Sequence, residues 1–203
     1  MDTQVAIAFL FFSVSMSLTP GAGNITLLGI SNRYGFSAAL PFVAGTAFGV
    51  LVVFGGTSAG LLSVLTAFPG VYTIIKYLGM AYLLYLAWGI SRFRVEEETP
   101  QPMPAHGAGF IAGTLVQVLN PKAWIAAITA FSQFTDVSGS YLIQVMTIIT
   151  VFVLSVILCT LVWAYFGAAL KRLLRSPQQM LLVNRCLGGT LALTVVFMLI
   201  QPD

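Results

Sequence analysis

Lys122 is the charged side chain that falls deepest within a long hydrophobic run, and it directly follows Asn120-Pro121. Half a chain earlier, Thr19-Pro20 leads into Gly21, Gly23 and Asn24, in a stretch with no charged residue between Asp2 and Arg33. Asn and Thr are good N-caps, and Pro is favoured at the first helical position because its missing N–H needs no partner there. Both pairs therefore predict a helix that starts afresh inside an apolar run, and Gly21 and Gly23 loosen the first of these breaks further. A helix start presents unbonded N–H groups and about half a positive charge, the chemistry of an anion site. Lys122 adds a full charge, and no Asp or Glu lies within any apolar run to pair with it. A ligand carboxylate would answer that vacancy. The candidate binding residues are Thr19, Pro20, Gly21, Gly23 and Asn24 at the first break, with Asn120, Pro121 and Lys122 at the second. Gln117, about one turn before the second break, joins them.

The elements that position these residues follow from composition. Of 203 residues, 58% are hydrophobic and 7% charged, against about a quarter charged in an ordinary soluble domain. Mean hydropathy is +0.95. The chain reads as an all-α integral membrane protein, a single transmembrane domain over 1–203. A crossing helix needs about 20 apolar residues, and six segments approach that length: 5–31, 36–66, 71–91, 107–134, 141–170 and 185–200. The runs lack the alternating polarity that a closed β-barrel needs. Arg33, Arg92, Arg94, Lys171, Arg172, Arg175 and Arg185 fall in loops on one side, and Lys76 alone on the other. The positive-inside rule makes the basic side cytoplasmic and both termini external.

"LTPGA" at 18–22 and "LNPKA" at 119–123 lie half a chain apart, and "KYLG" at 76–79 resembles "RCLG" at 185–188 in the same order. Residues 1–91 and 107–203 thus read as two three-helix repeats around a cytoplasmic loop at 92–106. Three spans is an odd number, so the second repeat enters the membrane inverted. Inverted repeats with discontinuous helices in corresponding positions place a binding site near the midplane, the arrangement of a secondary transporter. Unsatisfied backbone at that depth must line a cavity or pack on protein. Lys122, about 14 residues into its span at about 1.5 Å per residue, belongs near the same depth.

The chain resembles the LysE/RhtB family of bacterial amino-acid exporters over essentially its whole length. The resemblance rests on six spans in this length, "TPGAGN" near the end of the first, "NPKAW" in the fourth, and a variable polar loop between the halves. Ala22 stands where the family commonly has a second proline, and Gly23 where it has an asparagine. The resemblance implies efflux of amino acids or related metabolites across the inner membrane, driven by the proton gradient.

Protons are the expected coupling ion, and with no carboxylate or histidine inside the spans their binding would fall on Lys122. For the same reason a cationic cargo would lack a counter-charge, so a small neutral amino acid is expected. An ion or metal exporter on the same fold is the alternative, but it would call for oxygen, thiolate or imidazole ligands that the spans nearly lack. A membrane enzyme is weaker still, since the spans offer hydroxyls, one lysine and Cys159 as reactive groups. No cofactor or metal signature occurs, His106 has no second ligand at metal spacing, and no basic patch suits nucleic acid. Gly45 and Gly49, Gly56 and Gly60, and Gly109 and Gly113 suggest helix-packing faces, which also permit a homodimer.

Overall fold

The computed structural model describes residues 3–60, 109–135, 140–173 and 177–200, with scattered helical positions between 77 and 91. The expected third span (71–91) lies largely outside the described residues. The loop at 92–106, Lys76 and Arg175 lie wholly outside them. Among the described residues the regular elements are all helices: α1 (Thr3–Leu18), α2 (Ala22–Tyr34), α3 (Phe36–Ser58), α4 (Phe110–Val118), α5 (Pro121–Phe134), α6 (Tyr141–Leu173) and α7 (Pro177–Ile200).

By length and composition, α3 and residues Tyr141–Leu170 of α6 each suffice to cross a bilayer. The pairs α1–α2 and α4–α5 suffice only when joined, and they are bent at their breaks by 55° and 63°. The first and fourth hydrophobic runs are therefore both interrupted where proline and glycine predicted it. Large apolar side chains such as Phe11, Ile111, Leu142 and Ile143 point outward, as lipid-facing side chains do.

Two boundaries differ from expectation. The polar "SNRYG" suggests a turn, but residues 31–34 complete α2, and Ser31 and Asn32 are fully buried. Gly35 alone makes the corner, at φ 90°, a conformation that only glycine adopts freely. The last helix begins at Pro177 rather than near residue 185, because Pro suits a helix's first turn and the stretch after it carries no second breaker.

Helix α3 is the centre of the bundle. Its buried residues fall at helical spacing and divide between two apolar clusters. Ala39, Phe42 and Val43 pack with Leu27, Ile30, Ala112 and Val116. Val50, Val53 and Phe54 pack with Ala123, Ala127, Ile148 and Phe152. Thr46 lies on α3 between the two. The α3–α4 contact is backbone on backbone: a Cβ at Gly45 would overlap the Phe110 carbonyl, and one at Gly113 would overlap that of Phe42. At Gly49 it would come within 2.8 Å of Thr114 O. The Thr114 hydroxyl adds a hydrogen bond to Gly45 O at 3.1 Å. These glycines form the packing face their spacing suggested. Gly60 does not: it follows α3 at φ 88°, and no described residue lies within 4 Å of where its Cβ would be.

Candidate binding cavity at the two helix breaks

Each break orphans carbonyls at the end of one half-helix and N–H groups at the start of the next. The carbonyls are met by side chains, two from the half-helices that follow the breaks and one from α6. At the first break, Asn24 Nδ2 donates to Ser17 O at 2.9 Å and to Thr19 O at 3.0 Å. Trp163 Nε1 on α6 donates to Leu18 O at 3.2 Å. At the second, Trp124 Nε1 donates to Val118 O at 2.8 Å. One tryptophan thus covers the last carbonyl of each first half-helix.

The N–H groups are treated differently at the two breaks. Asn120 is the N-cap of α5: Pro121 follows it at the first helical position, and its side chain accepts from Lys122 N at 3.1 Å. Ala123 N donates to Asn120 O at 3.0 Å, so this helix start is largely self-satisfied. Thr19-Pro20 does not play the corresponding part. Pro disfavours helix at the residue before it, so α1 stops at Leu18, and the Thr19 hydroxyl turns back to Ser15 O at 2.5 Å. Helix α2 restarts only at Ala22, with an extended Gly21 as its N-cap and no capping side chain. The first α2 N–H bonded to backbone is that of Ile25, to Gly21 O at 2.9 Å. The amides of Ala22, Gly23 and Asn24 are the ones left at the start of this helix.

The breaks face one another. Lys122 Nζ, from the second, donates to Thr19 O at 3.1 Å across the bundle and lies 3.6 Å from where a Cβ on Gly21 would be. Between them is a cavity of about 50 Å³, room for a few waters in its present state. Gly21, Gly23, Asn24, Gln117, Asn120 and Lys122 all line it. Thr19, Pro20 and Pro121 do not: Thr19 contributes its carbonyl to Lys122, and the two prolines shape the chain. Lys122 is half-buried and is the only lysine or arginine in the lining. Among the described residues no group of three His, Cys, Asp or Glu side chains is placed to hold a metal ion.

Sequence reasoning missed several lining residues. Thr46 on α3, Ser17 on α1, and Phe152, Val156 and Thr160 on α6 are among them, and Met16, Val50, Ala123 and Ala126 fill the remaining wall. Thr46 carried a signal: it sits between Gly45 and Gly49, on the face where α4 approaches closely. Thr160 carried none, since a hydroxyl in an apolar helix ordinarily bonds one turn back, as this one does to Val156 O at 2.6 Å.

Paired broken helices around a small cavity lined by one lysine are an arrangement that membrane transporters use. The profile of the LysE type translocator family matches residues 14–201, and the chain belongs to that family. A cysteine/O-acetylserine efflux protein of Salmonella choleraesuis (strain SC-B67) is 28% identical over 197 residues, covering 97% of this chain and 96% of the relative. Its namesake in Escherichia coli (strain K12) is 26% identical with the same coverage. A membrane protein of Vibrio cholerae serotype O1, with no assigned function in its name, is 29% identical over 93% of each chain. No solved structure matches. The setting is thus a bacterial membrane and the cargo a small molecule.

Proposed function

We propose that this chain exports small neutral amino acids, of the size of cysteine and O-acetylserine, from the cytoplasm across the inner membrane in exchange for protons. The observation that carries the proposal is the Lys122 ammonium, which reaches from one helix break to the other across a shared cavity. A substrate carboxylate there meets a full positive charge and the open amides at the start of α2. Helix α5, capped by its own Asn120, contributes Lys122 more than it contributes bare N–H groups. Gln117 supplies an amide for the remaining polar groups of the substrate, and the Asn24 side chain, whose Nδ2 is held by Ser17 O and Thr19 O, can offer only its oxygen.

The architecture proposed around this site is six crossings in two inverted three-helix repeats, with the site near the midplane and both termini external. Lys122 is the group that titrates during the cycle. The names of the relatives support the substrate class, and the lack of an acidic side chain in the cavity lining supports a neutral cargo.

Counterflow in proteoliposomes, with a panel of amino acids and with or without a pH gradient, tests substrate and coupling together. Exchange of cysteine, serine or O-acetylserine, accelerated by a gradient, is the expected result. Selectivity for arginine or lysine, or indifference to the gradient, would overturn the corresponding part.

A further inference from the structure

Thr46 is 1% exposed, and its hydroxyl has no hydrogen-bond partner among the described residues. Other helical hydroxyls in this protein donate to the carbonyl one turn back: Thr57 to Val53 O at 2.8 Å, Thr147 to Ile143 O at 2.8 Å and Thr160 to Val156 O at 2.6 Å. The equivalent acceptor for Thr46 is Phe42 O, and that carbonyl is covered by α4, whose Gly113 backbone lies against it. Thr46 is one of the residues that line the cavity together with Lys122, Asn24 and Gln117. A buried donor without a partner is costly, and native structures keep one where a ligand or water completes it.

Thr160 on α6 has its hydroxyl bonded to Val156 O, and the cavity's remaining polar groups divide between the two breaks. Asn24 is already committed to Ser17 O and Thr19 O, Asn120 to Lys122 N, and Lys122 faces the first break. Thr46 stands apart from them on α3, beside the apolar wall of Val50, Phe152 and Val156. In the pose proposed above, with the carboxylate at Lys122, the side chain of the substrate is turned toward that wall.

We propose that Thr46 is a specificity-determining residue, whose hydroxyl bonds a polar group on the β-carbon of the amino acid, such as a hydroxyl, a thiol or an ester oxygen. This rests on the assignment of the cavity as an amino-acid site. An aliphatic side chain of equal size leaves the Thr46 hydroxyl unmet, and the site rejects it for that reason.

The test compares cysteine and serine with 2-aminobutyrate, which replaces the thiol or hydroxyl by a methyl group. Counterflow is measured in proteoliposomes for the full chain and for Thr46→Val and Thr46→Ser. Thr46→Val is expected to raise half-saturation about tenfold for cysteine and serine while moving 2-aminobutyrate by less than about twofold, the signature of one lost hydrogen bond. Thr46→Ser, which keeps the hydroxyl, should restore the wild-type ratio, and the retained 2-aminobutyrate transport reports a folded protein. An unchanged ratio in Thr46→Val, an equal loss for all three substrates, or a lost ratio in Thr46→Ser overturns the assignment. If the unmodified protein carries none of the three, the transport assignment itself fails. If it carries them and the ratio ignores Thr46, only the role of this residue does.

Discussion

Lys122→Met keeps an unbranched apolar side chain and deletes the ammonium. The empty protein loses one hydrogen bond, from Nζ to Thr19 O. That carbonyl keeps Asn24 Nδ2 at 3.0 Å, so no acceptor is orphaned. A bond from a charged donor is worth about 1.5–3 kcal/mol, but removing a half-buried charge returns part of that. Thermal stability in detergent should therefore change little. With substrate bound the balance differs, because the lining holds no second lysine or arginine to take over. Here the full 1.5–3 kcal/mol is lost, about ten- to more than a hundredfold in half-saturation. Lys122→Arg keeps the charge but replaces a compact donor by a planar fork, so an intermediate loss is expected. Counterflow with labelled cysteine, beside a melting curve of the same preparation, reads both quantities. A Met variant with wild-type half-saturation and an intact response to a pH gradient would remove Lys122 from the mechanism. A variant that simply melts early would make it a structural brace.

Other perturbations separate bracing from binding. Asn24→Ala removes the donors to Ser17 O and Thr19 O and should cost about 2 kcal/mol, seen as an earlier melting transition in detergent. Asn120→Ala removes the cap on α5 and should cost about 1 kcal/mol, with Asn120→Ser close to wild type in the same assay. Gly45→Ala drives a methyl group into the Phe110 carbonyl, where no side chain can rotate away. The loss should be about 3 kcal/mol, read as low recovery of monodisperse protein after mild heating. Gly55→Ala is its control: no described residue lies within 4 Å of the added methyl, so stability should hold or rise by up to about 1 kcal/mol.

Both breaks were legible in the sequence because proline and glycine, set together inside a long apolar run, interrupt the backbone ladder that a lipid-crossing helix depends on. Their local geometry was not. Thr19-Pro20 and Asn120-Pro121 look alike as dipeptides, yet only Asn120 caps the helix that follows. The difference lies in Gly21, which takes up an extended residue before α2 can restart, and in Asn24, which reaches back to the α1 carbonyls. The buried end of α2 was hidden for a similar reason. "SNRY" is polar, and it is the close approach of Gly167 on α6 to Leu28 and Ser31 that encloses it. Thr46 was missed because its state depends on a glycine from the other half of the chain. No local pattern announces that Phe42 O is covered. Local chemistry was readable wherever a breaker acted on its own neighbours, and unreadable wherever two distant helices met.

Only Gly35 separates α2 from α3, and α3 is clamped to α4 by glycines that leave no slack between the backbones. With one residue as coupling, α2 cannot tilt without dragging α3, nor α3 without α4. The soft joint in the first half of the chain is then Thr19-Pro20-Gly21, whose residues belong to neither helix. Any swing of α1 must turn about that joint, and the Thr19 carbonyl that Lys122 grips sits on the pivot itself. Under the proposed binding mode, cargo that draws the ammonium away would leave Asn24 alone to hold that pivot, so filling the cavity and freeing the arm would be mechanically one event.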